Sequence, residues 1–175
     1  MKTKKLTTIG LFTAILCIFG PLSIVLPFSP VPISLGTLGV LLACLMLGAK
    51  DGFLCTVIYL LLGLVGLPVF TGFTGGVGKV LGPTGGYLIG YLFLAYIGGS
   101  LSQKWKSSLL LQVSGLFMGM IFCYLFGTLW LIFQADMDLK SALLVGVIPY
   151  ILFDIAKIYA ASLLKRAISA RLILS

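Results

Sequence analysis

The 175-residue chain has no histidine and no glutamate, and its only acids are Asp51, Asp136, Asp138 and Asp154. The side chains that most often shuttle protons or bind transition metals are thus missing. No nucleophile has a neighbouring base to activate it, which argues against an enzyme. Charge of either sign is scarce at 9% of residues, too little to build a water-facing surface. There is no hydrophilic domain and no exact internal repeat. Cysteine is present but uninformative: Cys17, Cys44, Cys55 and Cys123 lie inside apolar stretches, with no C-x-x-C spacing. The sequence therefore predicts no disulfide, no metal site and no cofactor, and leaves the cysteines as small packing residues.

What is there is hydrophobic: 60% of residues, with a mean hydropathy of +1.21. Such a chain is an integral membrane protein, whose backbone must be satisfied as helices or a closed barrel. Barrel strands alternate with period two, whereas these apolar runs are long and continuous, so the fold class is all-α. A single transmembrane domain over residues 1–175 is predicted, with six helices near residues 6–26, 35–48, 52–67, 84–101, 107–134 and 141–164. The basic start Met1-Lys-Thr-Lys-Lys5 resembles a signal peptide but lacks a small-residue cleavage site, and is read as a retained first span.

The net charge of +8 would suggest nucleic acid in a soluble protein. Here the basic residues sit at the ends of apolar segments, so they report topology, and no nucleic-acid partner is expected. With the N-terminus inside, Lys2, Lys4, Lys5, Lys50, Lys104, Lys106, Lys165, Arg166 and Arg171 face the cytoplasm, against Lys79 and Lys140 outside. Both termini are then cytoplasmic. Three elaborate connections face outward: Pro27–Pro32, the Gly-rich stretch Pro68–Pro83 between helices three and four, and Asp136–Lys140. Loops of this kind suit capture of an external ligand.

The remaining lysine, Lys157, stands three residues after Asp154 inside the last apolar segment. On a helix the two share a face. Counting from Lys165 at 1.5 Å per residue puts Asp154 about 16 Å above the inner edge, near mid-membrane. A charge there is costly and marks either a self-neutralising structural pair or a ligand site. In the Gly-rich loop, Gly78-Lys79 fails as a P-loop, because residue 73 is Phe and Val80 follows the lysine. Gly75 and Gly76 let backbone approach a ligand closely, Phe73 can stack on an apolar body, and Lys79 can meet a carboxylate; the alternative is a plain re-entrant turn. Tyr87, one turn into the fourth helix, is either a ligand donor or an interfacial aromatic. Gly10 and Ala14, with Cys17 continuing their face, form a small-residue stripe that serves internal packing or partner docking.

Four motifs in register, Pro30-Val-Pro-Ile-Ser-Leu-Gly-Thr-Leu38, Gly66-Leu-Pro-Val-Phe70, Gly82-Pro-Thr-Gly-Gly-Tyr87 and Asp154-x-x-Lys157, resemble the BioY family of biotin-binding S-components of energy-coupling-factor transporters. The resemblance spans nearly the whole chain. It implies a multi-pass protein of a bacterial cell membrane that captures biotin at its outer side. It also implies a transmembrane coupling protein and two cytoplasmic ATPases as partners, with Gly10 and Ala14 against the coupling protein. The pocket implied draws on the first and third outer loops, Tyr87, Asp154 and Lys157. Three positions depart from the family pattern: the first loop reads P-V-P-x-T-x-Q-T there but has Ser34 and Gly36 here, and Phe153 replaces a Gly. Biotin fits the residues chemically, since its ureido ring offers two N–H groups and a carbonyl, its middle is apolar and its tail is an anion. A different small vitamin, or a proton-coupled carrier using Asp154, is the alternative reading.

Overall fold

A computed structural model of the chain describes residues 2–24, 27, 29–105 and 108–173. Val25, Leu26, Phe28, Lys106 and Ser107, which figure in the expected spans, first loop and basic-residue ledger, lie outside the described residues.

Helix α1 spans Lys2–Phe19 and is followed by a hairpin of two two-residue strands, β1 (Ser23–Ile24) and β2 (Ile33–Ser34). Helices α2 (Gly36–Leu47) and α3 (Ala49–Leu64) come next, then the short α4 (Val77–Leu81) within the Gly-rich connection. Helix α5 (Gly85–Phe93) runs through a π-helical turn at Leu94–Gly98 into α6 (Gly99–Lys104). Helices α7 (Leu109–Ala135), α8 (Leu139–Gly146) and α9 (Ile148–Ile173) complete the chain.

Each apolar segment carries helix, but four details differ from expectation. The first helix stops at Phe19 rather than near Leu26, because Gly20-Pro21 follows; proline has no N–H to continue the ladder and disfavours helix in the residue before it. The fold is not purely helical, since Ser23 and Ile24 pair antiparallel with Ser34 and Ile33. Helix α3 begins and ends three residues early, at Ala49 and Leu64. The last segment is broken at Val147, and its halves meet at 40°.

Pro149 explains that break and its consequence. Its missing N–H leaves the Val145 carbonyl without a helical donor, and the Tyr150 amide turns to Val147 O (2.9 Å), which frees the Gly146 carbonyl as well. Distant hydroxyls repair both losses: Ser29 Oγ donates to Val145 O at 2.7 Å, and the Tyr87 hydroxyl to Gly146 O at 2.9 Å. A helical break among apolar neighbours is thereby fully satisfied.

The core lies where α1, α2, the 85–104 helix, α7 and α9 converge, and Leu16, Leu41, Leu94, Leu116, Met120 and Ile158 are completely buried there. The outside is equally apolar: Leu110, Phe133 and Leu152 are 77%, 91% and 75% exposed. In water each would forfeit about 25 cal/mol per Å² of uncovered surface, whereas against lipid there is no penalty. Among the described residues, helix α7 is the one helix long and apolar enough to cross a membrane, and α8 with α9 is so as a bent pair.

Candidate ligand-binding site

Helix periodicity assembles the site. Tyr150, Asp154 and Lys157 follow i, i+4, i+7 on α9; Tyr87 and Tyr91 follow i, i+4 on α5; Met120, Cys123 and Tyr124 share a face of α7. These faces, with Val31, Pro32, Ser34 and Thr37 from the first connection and the start of α2, surround a small cavity of about 50 Å³.

Asp154 and Lys157 form the polar centre. Lys157 Nζ stands 2.9 Å from Asp154 Oδ1, and their side chains are only 6% and 11% exposed for Asp154 and Lys157. The other carboxylate oxygen accepts the Tyr124 hydroxyl at 2.5 Å. Lys157 spends its two remaining hydrogens on Ser34 O (2.6 Å) and Thr37 Oγ1 (3.0 Å). Ser34 is held in place by the hairpin, whose ladder continues through Leu35 N to Leu22 O at 2.9 Å. A buried ion pair survives only when such bonds offset its desolvation. Here the ammonium is saturated, while the carboxylate, with about four acceptor positions, keeps capacity for donors from a ligand.

The roof is tied down separately. Tyr150 donates to Ser29 Oγ (2.8 Å) and also touches Val31 O, and Ser29 in turn bonds the kink at Val145. The Pro-rich connection is thus fastened to the break in the last helix.

The residues expected at the site divide. Asp154, Lys157 and Tyr87 are brought together around the cavity. Lys79, Phe73, Gly75 and Gly76 are not among its lining residues. The Gly-rich connection folds instead on the C-terminal end of α3: Gly76, at φ +89°, donates to Gly63 O (2.7 Å), and a Cβ on Gly75 would lie 2.2 Å from Leu67 O. Its buried aromatic is Phe70, edge-on to Tyr59 at 5.6 Å, while Phe73 sits at the tip, 68% exposed. Lys79 is half-buried on α4, and burial lowers its pKa from the ordinary lysine value. Gly10 and Ala14 are exposed on α1, and the Cβ position of Gly10 meets nothing within 4 Å. Phe153 is 47% exposed and absent from the lining, so that departure from the family pattern leaves the cavity unchanged.

Sequence reasoning missed Tyr91, Tyr124 and Tyr150, although the helical offsets of Tyr91 from Tyr87 and Tyr150 from Asp154 were visible in the chain. Tyr124 carried only a weak signal, a lone hydroxyl inside a long apolar helix that needs a buried partner.

Lipid-compatible walls around a cavity with an apolar lining and the buried Asp154–Lys157 pair describe a substrate-binding membrane protein. The chain belongs to the BioY family, whose model matches residues 1–173. It is 38% identical over 161 residues to the biotin transporter BioY of Thermotoga maritima, covering 92% of this chain and 93% of that protein. A probable biotin transporter BioY of Pyrococcus horikoshii is 38% identical over 157 residues, covering 90% and 91%. The crystal structure at 2.1 Å of the S-component for biotin from an ECF-type ABC transporter superimposes with a TM-score of 0.89 at 34% identity, over 97% of this chain and 92% of that one.

Proposed function

We propose that this protein is the S-component that captures biotin for an energy-coupling-factor transporter. The observation that carries the reading is the Asp154 carboxylate on the cavity wall, oriented by Tyr124 and Lys157 with acceptor capacity to spare. A ureido ring offers two N–H donors to such a group, and the apolar lining from Val31, Pro32 and Met120 suits the thiophane and methylene chain. The protein is not itself an enzyme. Energy comes from two cytoplasmic ATPases acting through a transmembrane coupling protein, which docks on the exposed Gly10–Ala14 face of α1. The subunit crosses the cell membrane of a bacterium six times with both termini in the cytoplasm, as the nine-to-two distribution of basic residues favours.

Titration calorimetry on the purified subunit tests the ligand, and submicromolar biotin binding is expected. Absence of biotin heat, with heat from another small vitamin, would reject the substrate while leaving the transporter class standing. Co-purification with ATPase subunits tests the partners, and biotin uptake by the lone protein in liposomes under a proton gradient would replace the model with a secondary carrier.

A further inference from the structure

Among the described residues, the side-chain donors of the cavity wall can be followed one by one, and all but one reach a carbonyl or a carboxylate. Lys157 uses its three hydrogens on Ser34 O, Thr37 Oγ1 and Asp154 Oδ1. Tyr124 donates to Asp154, Tyr87 to the Gly146 carbonyl and Tyr150 to the first connection. The Thr37 hydroxyl donates to Ser34 O at 3.2 Å, and Ser34 Oγ reaches Gly20 O at 3.5 Å while accepting Gly36 N at 2.9 Å. Even the Cys123 thiol points at Tyr87 O, 3.6 Å away. Tyr91 is the exception. Its side chain is 5% exposed and lines the cavity, and its hydroxyl lies beside that of Ser34 but donates to no carbonyl or carboxylate among the described residues. Its side-chain partner is the Ser34 hydroxyl, a neutral contact that a ligand carbonyl can replace.

Gly36 is the reason that the hydroxyl is bare. A Cβ there would lie 3.2 Å from the Tyr91 hydroxyl, 3.4 Å from its Cε2 and 3.1 Å from Ser34 Oγ. Those distances are tighter than ordinary contact, so a longer side chain at position 36 would occupy the space over the phenol. With glycine at this position, the place where the family pattern has a glutamine amide is filled by a phenolic O–H.

We propose that Tyr91 is a ligand-binding residue, uncovered by Gly36, whose hydroxyl donates to the ureido carbonyl of biotin while Asp154 accepts from a ureido N–H. The inference rests on the biotin reading above and assigns the second half of ureido recognition. An acceptor-only carboxylate can satisfy only the N–H side of the ring. The carbonyl between the two N–H groups needs a donor, and among the described residues Tyr91 holds the side-chain proton on the wall that no carbonyl or carboxylate takes.

The test uses the full-length subunit in detergent, with biotin and 2-thiobiotin, in which a weakly accepting C=S replaces C=O and both N–H groups remain. Tyr91→Phe keeps the ring and removes only the hydroxyl. It is expected to weaken biotin about tenfold, the upper range for one neutral hydrogen bond, and to change 2-thiobiotin by less than about twofold. Gly36→Ala keeps the hydroxyl but crowds it, and is expected to show the same selective loss for biotin. It also decides the matter if Tyr91→Phe folds poorly. Unchanged biotin affinity in these variants, or equal loss for both ligands, overturns the assignment and makes Tyr91 a packing residue. Asp154→Ala separates the two readings: if it leaves biotin binding intact, the cavity is not the biotin site, whereas its failure to bind beside an unaffected Tyr91→Phe removes Tyr91 alone.

Discussion

Replacing Asp154 by alanine should damage the protein twice, and a second substitution should repair only one of the injuries. The Asp154–Lys157 pair is almost wholly buried, at 6% and 11% side-chain exposure, so solvent screens it little. Removing one partner of such a pair costs about 3–5 kcal/mol, because the other charge is stranded. Asp154→Ala belongs near the lower figure, since Lys157 keeps Ser34 O and Thr37 Oγ1. Lys157→Met belongs higher, because the carboxylate would retain only Tyr124. In Asp154→Ala/Lys157→Met no stranded charge remains, so the double variant should be more stable than either single one, with a coupling of at least about 2 kcal/mol. Affinity should behave otherwise. A hydrogen bond to a charged group contributes about 1.5–3 kcal/mol, so loss of Asp154 lowers biotin affinity at least tenfold, and adding Lys157→Met does not restore it. Thermal unfolding in detergent reads the first quantity and calorimetry the second. Additive stability losses, or recovery of binding in the double variant, would refute the assignment of separate structural and ligand roles to the two residues.

Ser29→Ala and Tyr150→Phe cut the fastening between the Pro-rich connection and the kink at Val145. Both should speed biotin release several-fold while changing the equilibrium constant less, as stopped-flow binding would show. Ala14→Trp places bulk on an exposed face, and should leave biotin binding intact while abolishing co-purification with the coupling protein and uptake. Asp138 caps α8 by accepting from the Lys140 and Ser141 amides, and the Ser141 hydroxyl and amide hold its pKa below the usual carboxylate range. A depressed pKa means that its stabilisation is complete above the unfolded value, about 3.9, and is lost as pH falls through the folded one. Wild type should therefore melt above Asp138→Ala at pH 6, and the difference should vanish in acid.

Composition and charge placement are properties that add along the chain, and they were readable without a fold. The scarcity of charge dictated a membrane protein, and the basic residues at segment ends argued for an orientation. The cost of charge in hydrocarbon singled out Asp154 and Lys157 before any contact was known. Two helix-stopping signals, Gly20-Pro21 and Pro149, were equally present in the sequence, but long apolar runs masked them because hydropathy carries no information about a missing N–H.

Tertiary structure alone decided what those breaks are for. The carbonyls freed by Pro149 are satisfied by Ser29, 116 residues away from Val145, and by Tyr87, 59 residues from Gly146. No local pattern encodes such a meeting, because it depends on how the helices rotate and which faces converge. The same holds for the Gly-rich connection, whose Phe73 and Lys79 looked suited to a ligand but do not line the cavity. Composition alone cannot distinguish a loop that folds over a cavity from one that folds onto the end of its own helix. That distinction comes from close packing, in which Phe70 fills the space beside Gly63 and Tyr59 and leaves Phe73 outside. The sequence by itself determined the solvent this protein lives in and the charges it keeps there; packing determined which side chains meet around the cavity.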